Sequence, residues 1–107
     1  MPEVNKIKKR IHIRTRLGLH ARPAALFVQV AKRFKSTVQV RKGRGVVDGK
    51  SIMGLLTLAA ERGTAVDLIV EGPDAQEALH ALEQLLSHRE VPAVVTVVRH
   101  RSSDAKR

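Results

Sequence analysis

Apolar residues recur along this chain with two periods, and each change of period marks a new element. Ile7, Ile11 and Ile13 alternate with charged residues and His12, which predicts a half-buried strand over about 10–15. Gly18 interrupts the alternation and Pro23 follows, where a helix's first turn tolerates a residue without an N–H. Ala24, Phe27, Val30, Ala31 and Phe34 then keep helical spacing, so a helix is predicted over about 21–33. Lys32, Arg33 and Lys35 at its end suit the negative pole of the helix dipole. From Thr37 to Arg41 the period returns to two, with Val38 and Val40 on one side and Gln39 and Arg41 on the other. Lys42-Gly43-Arg44-Gly45 reads as a turn, and Val46-Val47-Asp48 as the returning strand of a hairpin.

The second half repeats the alternation of types. Ser51 is placed to cap a short apolar helix, Ile52 to Leu58, and Glu61-Arg62-Gly63 turns out of it. Ala65 to Val70 predicts a strand. Gly72-Pro73-Asp74 opens a helix over about 74–88, with Ala75, Ala78, Leu79, Leu82, Leu85 and Leu86 as its apolar stripe. The order βαββαβα, with one hairpin and two strand–helix–strand crossovers, implies an α+β fold: a four-stranded, mainly antiparallel sheet with three helices on one face. No internal repeat is present.

One domain over residues 1–90 accounts for these elements, and residues 91–107 form an extension. In the extension, Val91-Pro92 breaks the helical pattern, and Ala93 to Val98 is uncharged and rich in β-branched residues. An added strand over 94–98 is expected there, on this chain's own sheet or on a neighbour's. The segment from His100 to Arg107 is polar.

Composition narrows the function classes. Only two of the 107 residues are aromatic, so Phe27 and Phe34 are the large pieces of an otherwise aliphatic core. The absence of cysteine excludes disulfides, thiolate chemistry and Cys-based metal sites. No apolar stretch is long enough to span a membrane or to serve as a secretory leader, and a cytoplasmic location is expected. The net charge of +10 is uneven: residues 1–16 carry +5, residues 88–107 carry +3, and 17–87 only +2. Solvated basic ends explain this without nucleic acid. The sheet also offers no aromatic platform for stacking bases, and the chain has no KH-type GXXG loop.

The chemistry concentrates at Gly18-Leu19-His20-Ala21-Arg22-Pro23-Ala24. Here a histidine precedes a helix whose first free amides belong to Ala21 and Arg22. A helix N-terminus binds anions because unpaired donors and the positive dipole end converge there. Arg22 adds a charged donor fork suited to phosphate. The same positive surroundings disfavour imidazolium and keep His20 neutral and nucleophilic. A group that shuttles phosphate needs both properties.

This segment resembles the active-site motif of the HPr family, the histidine-containing phosphocarriers of bacterial sugar phosphotransferase systems. Lys50-Ser51-Ile52-Met53-Gly54 resembles the family's second signature, around a regulatory serine. The resemblance runs from about residue 7 to 90 and implies an open-faced sandwich. It further implies that His20 is phosphorylated on Nδ1 by enzyme I and passes the group to enzyme IIA-type domains. Arg22 then steadies the phosphate, and an HPr kinase modifies Ser51. No cofactor is implied, and the chain is a carrier and not an enzyme. Leu17 departs from the small polar residue common in the family, which removes one accessory hydrogen bond. Arg16-Leu17-Gly18 is closer to the nitrogen-related branch, whereas the Ser51 segment is closer to the sugar-transport branch.

Ile52, Met53, Leu55 and Leu56 are too many for one buried stripe on so short a helix. Leu55 is expected in the core, and Ile52, Met53 and Leu56 are expected to leave an apolar docking patch beside His20. Phosphate on Ser51 would place roughly two negative charges next to that patch. His12, His80, His88 and His100 lack metal-ligand spacing and read as surface histidines. Two rivals remain: a family member acting by protein contact alone, and a basic nucleic-acid-binding α/β domain.

Overall fold

The structure, a computed structural model, describes residues 5–14, 21–58 and 60–87. Strand β1 (Asn5–His12), helix α1 (Ala21–Ala31), strands β2 (Thr37–Lys42) and β3 (Gly45–Asp48), helix α2 (Ile52–Leu58), strand β4 (Ala65–Gly72) and helix α3 (Ala75–Ser87) follow in that order. The predicted βαββαβα sequence of elements is thus present. The strands form one antiparallel sheet ordered β1-β4-β2-β3, so the last strand in sequence lies between the first and the second. The extension 91–107, with the strand expected at 94–98, lies outside the described residues.

Successive side chains of a strand point to opposite faces. Val66, Leu68 and Val70 of β4, with Ile11, Val38 and Val40 from its neighbours, are buried on one face. They pack against Ala24, Phe27 and Ala31 of α1, Leu55 of α2, and Ala78, Leu82, Leu85 and Leu86 of α3. Phe27 is the largest fully buried side chain. All three helices therefore cover this face, and Asp67, Ile69 and Glu71 stand on the other.

The tertiary context moves several boundaries. β1 begins five residues before its predicted start, because its backbone pairs with β4 from Asn5↔Gly72 to His12↔Ala65. Ile13 leaves the strand yet is fully buried, held by bonds from its N–H to Thr64 O (2.9 Å) and from Gly63 N–H to its own carbonyl (2.7 Å). Much of the basic N-terminal run, expected to be a solvated end, is thus sheet: Lys6, Lys8, Lys9 and Arg10 all belong to β1. Helix α1 ends at Ala31, where Arg33 N–H→Val30 O and Phe34 N–H→Ala31 O tighten the chain into a last turn of three-residue spacing. Lys32, Arg33 and Lys35 consequently follow the helix instead of closing it. In the β2–β3 hairpin, Gly43 takes φ +59°, the positive value required at the first position of a two-residue loop.

Two polar contacts lock these elements together. Asp74, just before α3, accepts hydrogen bonds from Lys35 N–H (2.8 Å) and from Ser36 N–H (2.9 Å) and Oγ, which ties the α1–β2 connection to α3. Burial opposes ionisation of Asp74, but these bonds, the Ser36 hydroxyl first, hold its pKa below the ordinary value. Gly72 permits the approach, since a Cβ there would lie within 2.6 Å of Ser36 Cα. The second contact is Asp67, in mid-β4. It accepts from Arg10 Nε on β1 at 3.0 Å and from Arg41 Nη2 on β2 at 2.8 Å, with 6% of its side chain exposed.

Arg10 first, and then Arg41, hold the Asp67 pKa down at about 2 against the opposing effect of burial. A depressed carboxylate contributes stability that is complete above its unfolded pKa and is lost as pH falls through the folded one. The native state should therefore lose stability between about pH 5 and pH 2. Asp67→Asn should lower stability at pH 7 by on the order of 1–2 kcal/mol, between the values for exposed and buried ion pairs. It should also flatten the acid limb, as read by urea unfolding at several pH values.

Candidate functional site

The first candidate centre is the start of α1. Ala21 is its first residue and Arg22 its second. Pro23 and Ala24 are buried, which anchors this turn to the core, and Arg22 is exposed. The Ala21 and Arg22 amides have no preceding helical carbonyl to bond, and Pro23 has no N–H to add. Two donors and an exposed guanidinium thus share one helix terminus at the protein surface. His20, with Leu17, Gly18 and Leu19, lies outside the described residues. So does the expected position of the apolar patch relative to His20.

Where β1 ends, a cleft of about 400 Å³ is lined by His12, Ile13, Arg14, Arg62, Gly63 and Ser87. Among the described residues its charged walls, Arg14 and Arg62, are basic. Among the described residues no group of three or more His, Cys, Asp or Glu side chains is arranged to hold a metal ion.

The second candidate centre is the start of α2. Asp48 ends β3 and folds the chain over: its carboxylate accepts from Lys50 N–H at 2.9 Å, and its carbonyl from Ser51 N–H at 3.1 Å. Ser51 then caps α2 as predicted, its Oγ accepting from Gly54 N–H at 3.0 Å. Leu55 is fully buried, while Ile52 is 42% and Met53 71% exposed. Leu56 is half-buried against the core, so it forms the floor of the apolar surface and not part of its crest.

α1 and α2 pack against each other, but the two centres are tied to opposite ends of α1. Lys50 Nζ donates to Phe34 O at 3.0 Å, just past the C-terminal end of α1, whereas Arg22 stands in its first turn. An 11-residue helix is roughly 16 Å long. Ser51 and Arg22 therefore lie towards opposite ends of α1.

Several residues were not singled out by sequence reasoning. Asp67 sat inside an apolar run read simply as a strand, and only the register brings Arg10 and Arg41 opposite it. Asp48, whose carboxylate shapes the turn before Ser51, carries in the sequence only the general turn preference of aspartate. Val46 is 49% exposed, but it pairs with Arg41 on the helix-free face and so lies across the sheet from Met53. His12 and His80 are exposed as expected, and His80 shares a 3.2 Å hydrogen bond with Gln84.

Comparison with known proteins gives a family match and similar chains. Residues 7–88 match the PTS-HPr family, described as the PTS HPr component phosphorylation site. The HPr-like protein Crh of Bacillus subtilis is 51% identical over 76 residues, covering 71% of this chain and 89% of that protein. The phosphocarrier protein HPr of Neisseria meningitidis is 48% identical over 81 residues, covering 76% and 91%. Among solved structures, HPr from Bacillus anthracis superposes with a TM-score of 0.72 at 44% identity, covering 74% of this chain and 94% of that one.

The Ser51 cap yields a stability test. Ser51→Ala should destabilise the protein by about 1 kcal/mol, the usual value of a lost N-cap. Ser51→Asp keeps an acceptor for Gly54 N–H and should stay within a few tenths of a kcal/mol of wild type. Urea midpoints of the two variants check this.

Proposed function

Because this chain belongs to the HPr family of phosphotransferase-system proteins, we propose that it takes a phosphoryl group from enzyme I onto His20 and passes it to enzyme IIA-type domains. The observation that carries this reading is His20 itself, standing in Gly18-Leu19-His20-Ala21-Arg22-Pro23-Ala24 within the matched region. As a family member the chain is a carrier and not a catalyst. In transfer, the lone pair of the imidazole Nδ1 forms the N–P bond as the bond from phosphorus to the donor breaks. The Ala21 and Arg22 amides and the Arg22 guanidinium then offer donors and positive charge to the phosphoryl oxygens. Because the same groups face the acceptor protein, the phosphate is stabilised without being enclosed, as onward transfer requires.

Partners dock, in this reading, on Ile52 and Met53 with Leu56 beneath them. Met53 is the most exposed of the three, and its unbranched side chain adapts to more than one surface. Phosphorylation of Ser51 by an HPr kinase would add charge at the margin of this surface and repel an acidic partner. The setting is the cytoplasm, where phosphoenolpyruvate is available. No described helix is long and apolar enough to cross a membrane.

A second reading is a regulatory protein that acts by contact alone, favoured by the 51% identity to Crh. Family members of that kind can lack the histidine, and the presence of His20 favours the carrier.

Incubation with phosphoenolpyruvate and enzyme I should label the protein once, through an acid-labile bond, as read by mass spectrometry under mildly alkaline conditions. His20→Ala should abolish the label with the circular dichroism spectrum unchanged. Arg22→Lys should keep part of the transfer rate and Arg22→Glu almost none. Persistent labelling of His20→Ala would exclude His20 as the acceptor.

Ser51→Asp should slow phosphorylation of His20 on the order of tenfold, through weaker docking of enzyme I. An unchanged rate, with stability also unchanged, would leave Ser51 as a helix cap only.

A further inference from the structure

The sheet has two free edges among the described residues, and they differ. β3 is a short edge of four residues, whereas β1 offers eight. A free edge presents a row of backbone N–H and C=O groups that can accept another strand. We propose that residues 94–98 of this chain form a fifth strand on the outer edge of β1, antiparallel to it.

The end of α3 aims the chain at that edge. Lys9 Nζ of β1 contacts Glu83 of α3 at 2.9 Å, and Arg14 N–H donates to Leu86 O at 2.8 Å. α3 thus runs beside β1 in the same direction, and Ser87 ends it where β1 also ends. A chain that turns back from Ser87 has the outer edge of β1 alongside and meets it running antiparallel. Six residues, 88–93, separate Ser87 from the proposed strand, enough for a turn, and Pro92 precedes the proposed ladder, where a proline would cost no ladder bond. Five residues of strand reach about 17 Å, well within the length of β1.

Topology selects the same edge. In β3–α2–β4 the chain leaves a strand, crosses the helical face, steps over β2 and enters a parallel strand. A path from β4 through α3 to the outer edge of β1 repeats this move: same strand direction, same sense along the sheet, same helical face, one strand stepped over. It has the same hand as β3–α2–β4, and crossovers in one sheet share a single hand almost without exception. A strand parallel to β4 placed outside β3 would require the opposite hand.

Charge selects the occupant. β1 carries Lys6, Lys8, Lys9 and Arg10, so a second copy of β1 paired edge to edge would set cations against cations. The segment from Ala93 to Val98 is uncharged and β-branched, and can lie beside that strand without repulsion. The family match ends at residue 88, so the added strand would be this chain's own addition to the shared fold.

Amide hydrogen exchange on the full chain, with cross-strand proton contacts by NMR, tests the proposal. Amides 94–98 should exchange at least tenfold more slowly than 102–107 and show contacts to β1. Thr96→Pro should abolish that protection and speed exchange at every second amide of β1, those facing away from β4, with β2 and β3 unchanged as the control for folding. Equal exchange over 94–98 and 102–107 would overturn the proposal. So would contacts to β3, or protection that disappears on dilution and thereby assigns the strand to a second copy.

Discussion

The sheet depends on β4, and at its centre on Asp67. β1 and β2 do not touch each other; among the described strands β1 pairs only with β4, while β2 pairs with β4 on one side and with β3 on the other. Asp67 repeats that arrangement in side chains, gripping Arg10 on one side and Arg41 on the other. An acid so placed is tolerable only because both neighbours bring a cation to it, since a buried carboxylate without partners would be neutralised or expelled. The arrangement also holds three strands in register, because a slip of one residue would send either arginine to the opposite face.

The placement of the functional centres follows from this sheet. α1 must span from the end of β1 to the start of β2, across β4, which puts its first turn at one end of the molecule and the Phe34 carbonyl towards the other. The hairpin returns the chain through Asp48 to Ser51, and Lys50 fastens that turn to Phe34. The head of α1, with Arg22, and the head of α2, with Ser51, are thereby kept apart.

Part of the charge that dominates the composition is structural. Lys9 reaches Glu83, while Arg10 and Arg41 share Asp67, and Lys42 Nζ closes on the Leu58 carbonyl at 3.1 Å. These cations act as struts between elements of the domain. Net charge alone is therefore a poor guide to what this surface attracts, and a basic strand can be mistaken for a basic tail.

The sequence by itself determined the kind and order of the elements, because periodicity and turn chemistry are local properties. Ala24, Phe27, Val30 and Ala31 repeat every three to four residues whatever packs on them, and Ser51 finds its acceptor role three residues away at Gly54. The candidate residues were legible for the same reason: His20, Arg22 and Ser51 lie in short contiguous motifs. Only the tertiary structure decided where strands begin and which polar groups meet. The charged residues from Lys6 to Arg10 have no strand period of their own until β4 supplies partners for their backbone. Asp67 looks like an interruption until the register places two arginines opposite it. Likewise, Leu56 belongs to the floor rather than the crest of the α2 surface because the core beneath it, assembled from distant segments, draws it halfway in. Contacts between residues 26 or 57 positions apart, as for Asp67 with its two arginines, have no local trace, since they exist only once the chain has closed on itself.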